Sequence, residues 1–113
     1  MASTFATMLV GQHATLVLSH FLVACATQVD PKLAAQVVEL AFLGDFRPQL
    51  SQLRVPTLLL QCPDDPAVPE EVSAYLLAHI PGATLVRLAT SGHSPHLTAP
   101  AEVAAAIHHF LAG

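Results

Sequence analysis

Two short loops carry most of the chemistry this sequence offers. CPDDPAVP, residues 62–69, holds two adjacent carboxylates, Asp64 and Asp65, and ATSGHSPHLTAP, residues 89–100, holds His93 after a glycine and His96 after a proline. An aspartate that fixes a histidine in one tautomer is the orienting half of a catalytic triad, and the histidine then acts as general base. The same residue types fit other chemistry. His93, His96 and one carboxylate make a set of zinc ligands, although Pro95 stiffens the pair and no second paired motif completes a site. The plainest alternative for Asp64-Asp65 is a solvated turn between two prolines, and for His93 a place on the surface. His108-His109 lies near a helix end, where protonated imidazoles suit the dipole, and reads as a solvated face.

Both loops need elements to position them. Residues 55–61, VPTLLLQ, form a short continuous apolar run of the kind seen in strands covered on both faces. Cys62 follows it and suits a buried free thiol. Pro69-Glu70-Glu71 opens a helix, with its acids at the positive end of the dipole. Val72, Leu76 and Ile80 make its inner face, and Pro81-Gly82 ends it. Residues 84–89 read as a second strand. Pro100-Ala101-Glu102 starts a last helix with Val103, Ile107, Phe110 and Leu111 inward. Strand, helix, strand, helix implies parallel strands with helices packed on them. In such sheets ligands bind at the carboxyl ends of strands, where both loops fall. Adjacent strands then bring Asp64-Asp65 beside His93.

Upstream, residues 4–26 read as one or two helices of mixed polarity. Asp30 caps a helix that Pro31 opens. It runs to about Leu43 with Leu33, Val37, Leu40 and Ala41 on one face, and Gly44 stops it. GDFRPQLSQL is a polar connector.

A length of 113 residues suits one small domain. The chain is 53% hydrophobic and 11% charged, against roughly 25% charged in an ordinary soluble domain. Small domains have proportionally more surface to cover, so the polar sequence is short of what its own surface needs. Two parallel strands are also too few to stand alone. Both observations imply a membrane link, a partner chain, or a place in a larger fold. A net charge of −4 without a basic cluster excludes a nucleic-acid footprint. Cys25 and Cys62 make no disulfide framework. Residues 1–29 lack charged side chains, and Ala24-Cys25-Ala26 resembles an export cleavage site. However, no Lys or Arg precedes the apolar stretch, and Gln12, His13, Ser19 and His20 interrupt it. Amphipathic helices rather than a membrane span are expected there.

The run from Val55 to Pro100 resembles the C-terminal part of an α/β-hydrolase subfamily. That subfamily contains bacterial hydrolases that activate a stress-response sigma-factor pathway and the plant strigolactone and karrikin receptors. The matching elements are the VPTLLLQ strand, the D-x-x-V-P turn from Asp65 to Pro69, the segment from Tyr75-Leu76 to His79-Ile80-Pro81-Gly82, and G-H-x-P-H-L-x-A-P from Gly92 to Pro100. Residues 24–53 are similar, more weakly, to the segment between the family's helical cap and this strand.

The resemblance implies an α/β fold class: the last two parallel strands of an α/β-hydrolase with flanking helices, preceded by remnant cap helices. Residues 1–50 are then cap and connector, and residues 51–113 the C-terminal βαβα part of the core. It places the catalytic acid on Asp65, four residues before Pro69, and the base on His93. His96 falls on a structural family histidine and Asp64 on a variable position. It implies a cytoplasmic serine hydrolase for a small ester- or lactone-like substrate, linked to stress signalling, with no cofactor and no metal. The family's nucleophile sits at a G-x-S-x-G elbow, and Ser3, Ser19, Ser51, Ser73, Ser91 and Ser94 all lack that setting. The oxyanion loop and first five strands find no match either, and the ending at FLAG matches the family's end while Met1 falls inside its fold. The expectation is a truncated fragment carrying acid and base, inactive alone. The alternatives are a non-catalytic module whose open sheet edge docks on a protein partner, half of a split hydrolase, and an exported lipid-anchored protein cut after residue 24.

Overall fold

The two apolar runs form the two described strands, β1 (Thr57–Gln61) and β2 (Ala83–Arg87). They pair in parallel, Thr57 opposite Ala83 and Gln61 opposite Arg87. The computed structural model describes residues 2–11 and 15–113. The remaining elements are α1 (Ala2–Val10), α2 (Leu16–Thr27), α3 (Pro31–Leu43), a 3-10 helix (Arg47–Gln52), α4 (Glu70–His79), α5 (Pro95–Thr98) and α6 (Pro100–Leu111). β1 begins two residues later than the apolar run. Pro56 has no N–H to give to a ladder, so pairing starts at Thr57. Beyond the strand ends the Leu88 N–H still donates to the Gln61 carbonyl at 2.8 Å, which keeps the following loops side by side.

The core is small. Cys62, Leu88 and Val103 are buried together, with Leu60 and Val86 packed against them. α4 is the crossover between the strands, and its buried stripe differs from the expected one. Ser73 and Ile80 are buried and Leu76 half-buried, whereas Val72 is exposed. The small Ser73 brings the helix close, and its hydroxyl donates to the Glu70 carbonyl at 3.0 Å, so no polar group is stranded. In α6 only Val103 of the expected face is buried, and Ile107 and Leu111 are exposed. The loop from 89 to 100 contains a short helix, α5, that opens on Pro95 at its first turn, a favourable place for proline.

α3 starts as its residues require. Asp30 Oδ1 accepts the Lys32 and Leu33 N–H groups at 2.8 and 3.1 Å. At its far end the Gly44 N–H donates to the Leu40 carbonyl at 3.0 Å. The apolar face expected to be inward is nonetheless solvent-facing: Leu33, Val37 and Leu40 are all exposed. Periodicity found the helix, but the described residues cover that face only in part: Leu22, Cys25, Ala26 and Val29 share an open apolar groove with Leu33 and Val37. The polar connector contains the 3-10 helix, and at its start Arg47 grips Asp45 through Nε at 2.8 Å and Nη2 at 2.7 Å. Among the described residues no helix is long and apolar enough to cross a membrane. Gln12 and His13, which interrupt the N-terminal apolar stretch, lie outside the described residues.

Candidate active site

The loop after β1 folds around its own aspartate. Asp65 Oδ1 accepts the backbone N–H of Ala67 at 2.8 Å and of Val68 at 3.0 Å. This closes an Asx turn, a conformation that Asp adopts readily. The buried Gln61 side chain stiffens the same loop, donating from Nε2 to the Cys62 carbonyl at 2.8 Å and the Val68 carbonyl at 2.9 Å. With Oδ1 engaged by backbone, Oδ2 is left to face outward from the turn, and His93 meets it. Nδ1 of His93 lies 2.9 Å from Oδ2 of Asp65.

A carboxylate only accepts, so the hydrogen in this contact belongs to Nδ1. In the neutral imidazole that leaves the lone pair on Nε2, the protonation pattern a general base needs. The Asp65 side chain is 9% exposed and that of His93 39%. The carboxylate is therefore sheltered while the imidazole meets solvent. Thr4, Thr7, Met8, Gly11, Asp64 and Pro66 line an open groove beside the pair.

The strand order brought Asp64-Asp65 beside His93 and the resemblance singled out Asp65, and Asp65 and His93 meet. It gave Asp64 no role, yet Asp64 Oδ1 accepts the Gly92 N–H at 3.3 Å. His96 stands apart, exposed on α5. Among the described residues no three His, Cys, Asp or Glu side chains gather as a metal-ligand set. Cys62 lies beneath the carboxylate loop, buried at 2%. Burial, then the charges of Asp65, Asp64 and Glu102, push its thiol above the ordinary range, which makes it a packing group rather than a nucleophile.

The contribution that sequence reasoning missed is α1. Its end runs against the histidine loop, where the His93 N–H donates to the Met8 carbonyl at 3.4 Å and the Ser94 N–H to the Leu9 carbonyl at 2.7 Å. Gly11 (φ +56°) and Gly92 (φ +87°) make this approach possible. A Cβ on Gly92 would lie 2.7 Å from the Gly11 nitrogen, and one on Gly11 2.8 Å from the Gly92 nitrogen. The available signal was a glycine after an apolar helix and a second before the histidine, each at a place that admits close backbone contact.

Comparisons with known proteins bear on this arrangement. The strigolactone esterase of Arabidopsis thaliana is 41% identical over 75 residues, which are 66% of this chain and 28% of that protein. A karrikin insensitive 2 receptor of Petunia hybrida is 36% identical over 87 residues, 73% of this chain and 32% of that protein. The structure of a hydrolase from Oleispira antarctica superposes with a TM-score of 0.91 at 25% identity, covering 99% of this chain and 41% of that one. The chain thus spans under a third of the length of these two plant relatives. The sequence pattern of the alpha/beta hydrolase family matches residues 5–106. Parallel strands ending in an aspartate loop and a histidine loop, with nearly the whole chain inside that pattern, place this protein in the alpha/beta hydrolase family.

Proposed function

We propose that Asp65 and His93 are the acid and base of a serine hydrolase acting on small ester- or lactone-like substrates. In this reading residues 51–113 belong to its core and residues 1–50 to the remnant of its cap. The observation that carries the proposal is the 2.9 Å contact between Nδ1 of His93 and Oδ2 of Asp65, made between the two loops that leave the carboxyl ends of paired strands. The 41% identity to a strigolactone esterase supports an ester as the substrate class.

The chemistry follows from the tautomer. As a serine hydroxyl attacks the substrate carbonyl, His93 Nε2 takes its proton. Asp65 stabilises the resulting imidazolium through Nδ1–H, and His93 then returns the proton to the leaving oxygen. Two parts are supplied from outside these 113 residues: the serine, since none here stands in a G-x-S-x-G setting, and the donors that stabilise the oxyanion. An acid–base pair without them has nothing to activate. The purified 113-residue chain should therefore leave a p-nitrophenyl ester hydrolysing at the buffer rate. Turnover that vanishes on His93→Ala would contradict this.

A second reading has its own observation. Leu40, Phe42, Leu43 and Phe46 are all exposed around the end of α3, and among the described residues β1 pairs with β2 alone. Apolar surface of this extent favours cover by further protein, either from the same polypeptide or from a partner that carries the serine half. Sequencing the transcript upstream of Met1 separates the two. An in-frame G-x-S-x-G elbow supports one polypeptide. An in-frame stop supports a partner.

A further inference from the structure

We infer that Asp64 is a positioning residue for His93. The inference rests on the reading of Asp65 and His93 as acid and base, and extends it to the neighbouring carboxylate. Three consecutive amides carry the base: those of Gly92, His93 and Ser94. Each has an acceptor: Asp64 Oδ1 at 3.3 Å, the Met8 carbonyl at 3.4 Å and the Leu9 carbonyl at 2.7 Å. Two of these acceptors are main-chain groups at the end of α1. The third is a side chain, so it is the one a substitution removes.

The two loops are clasped at two successive residues, Asp64 to Gly92 and Asp65 to His93. The second contact sets the tautomer. The first holds the peptide from which His93 leaves the loop. Gly92 keeps φ +87° with the backbone of Val10 and Gly11 directly behind it, so the loop has no room to relax toward α1. Release of the Gly92 N–H frees that peptide to rotate, and rotation there swings the imidazole relative to Asp65 Oδ2. Since an acceptor oxygen is what Gly92 needs, asparagine meets the requirement and alanine does not.

The test is NMR on the full chain labelled with 15N. Two-bond correlations of the His93 ring report its tautomer, and hydrogen exchange reports the Gly92 amide. The native chain should show the Nδ1–H tautomer and a protected Gly92. Asp64→Ala should speed Gly92 exchange about tenfold, the worth of one hydrogen bond to a carboxylate, and turn the single tautomer into a mixture. Asp64→Asn should restore both. Asp65→Asn should disturb the tautomer and leave Gly92 protected. Wild-type behaviour in Asp64→Ala, or no rescue by Asn, overturns the inference. So does an unprotected Gly92 in the native chain, which needs no variant. If Asp65→Asn leaves the tautomer unchanged, the acid–base reading itself fails instead.

Discussion

At φ +87°, with backbone atoms of Gly11 and Val10 2.7 Å from where a Cβ would sit, Gly92 has no space for a side chain. A non-glycine residue held in such a region costs about 1–3 kcal/mol from backbone strain alone. Gly92→Ala should lower stability by at least that amount, read as a fall in the urea midpoint at unchanged slope. Cys62 makes a pH prediction. Its folded-state thiol is pushed up, first by burial and then by nearby carboxylates. Above about pH 9 the unfolded chain loses that proton while the folded chain keeps it. Fewer protons on the unfolded state mean stability falls as pH rises. Urea unfolding between pH 8 and 10 should show this loss, and Cys62→Ala should flatten it. The meeting of Asp65 and His93 was legible because it follows from strand order and local motif. Asp64 was not, because its partner is a backbone amide 28 residues away and no residue type signals that.

Elements were legible where local chemistry sets them. Asp30-Pro31 opened α3, and Pro69-Glu70-Glu71 opened α4 as their caps and dipole require. Faces were less legible. The α3 stripe of Leu33, Val37 and Leu40 has the spacing of a core face, yet it lies exposed, because burial is decided by what packs opposite and not by the helix itself. The α4 face differs at one position for a related reason: Ser73, which hydropathy places outside, is buried where Val72 was expected, while Leu76 and Ile80 keep their places. The link from α3 to β1 carries a prediction at this scale. Arg47 holds the Asp45 carboxyl well below the usual carboxylate range, at about 2, through its side chain and then its backbone N–H. Because the folded value is the lower one, the contribution is present above about pH 4 and is lost as pH falls toward 2. Asp45→Asn should remove that acid dependence, seen by comparing urea midpoints of the two chains from pH 5 to pH 2. The effect will be small, since the pair is exposed and screened.

Across the whole molecule, the apolar composition goes with exposed apolar faces. The described chain has a core of few residues, a sheet of two strands, and large exposed side chains such as Phe42 and Leu40. It covers 28% of a strigolactone esterase and 41% of the Oleispira hydrolase. Family membership and the α/β architecture were readable from the loop motifs and the alternation of elements. The packing of α1 against the histidine loop was not, since it depends on two glycines 81 positions apart (Gly11 and Gly92) whose only shared trait is permissiveness. If Asp65 and His93 are acid and base, they should work once a serine is supplied. The most direct test is a chimera in which the aligned 75-residue segment of the Arabidopsis strigolactone esterase is replaced by that of this chain. The chimera should fold and hydrolyse a p-nitrophenyl ester, with turnover reduced at least about a thousandfold by His93→Ala and by Asp65→Asn. A folded, active chimera whose turnover survives His93→Ala would contradict the acid–base reading.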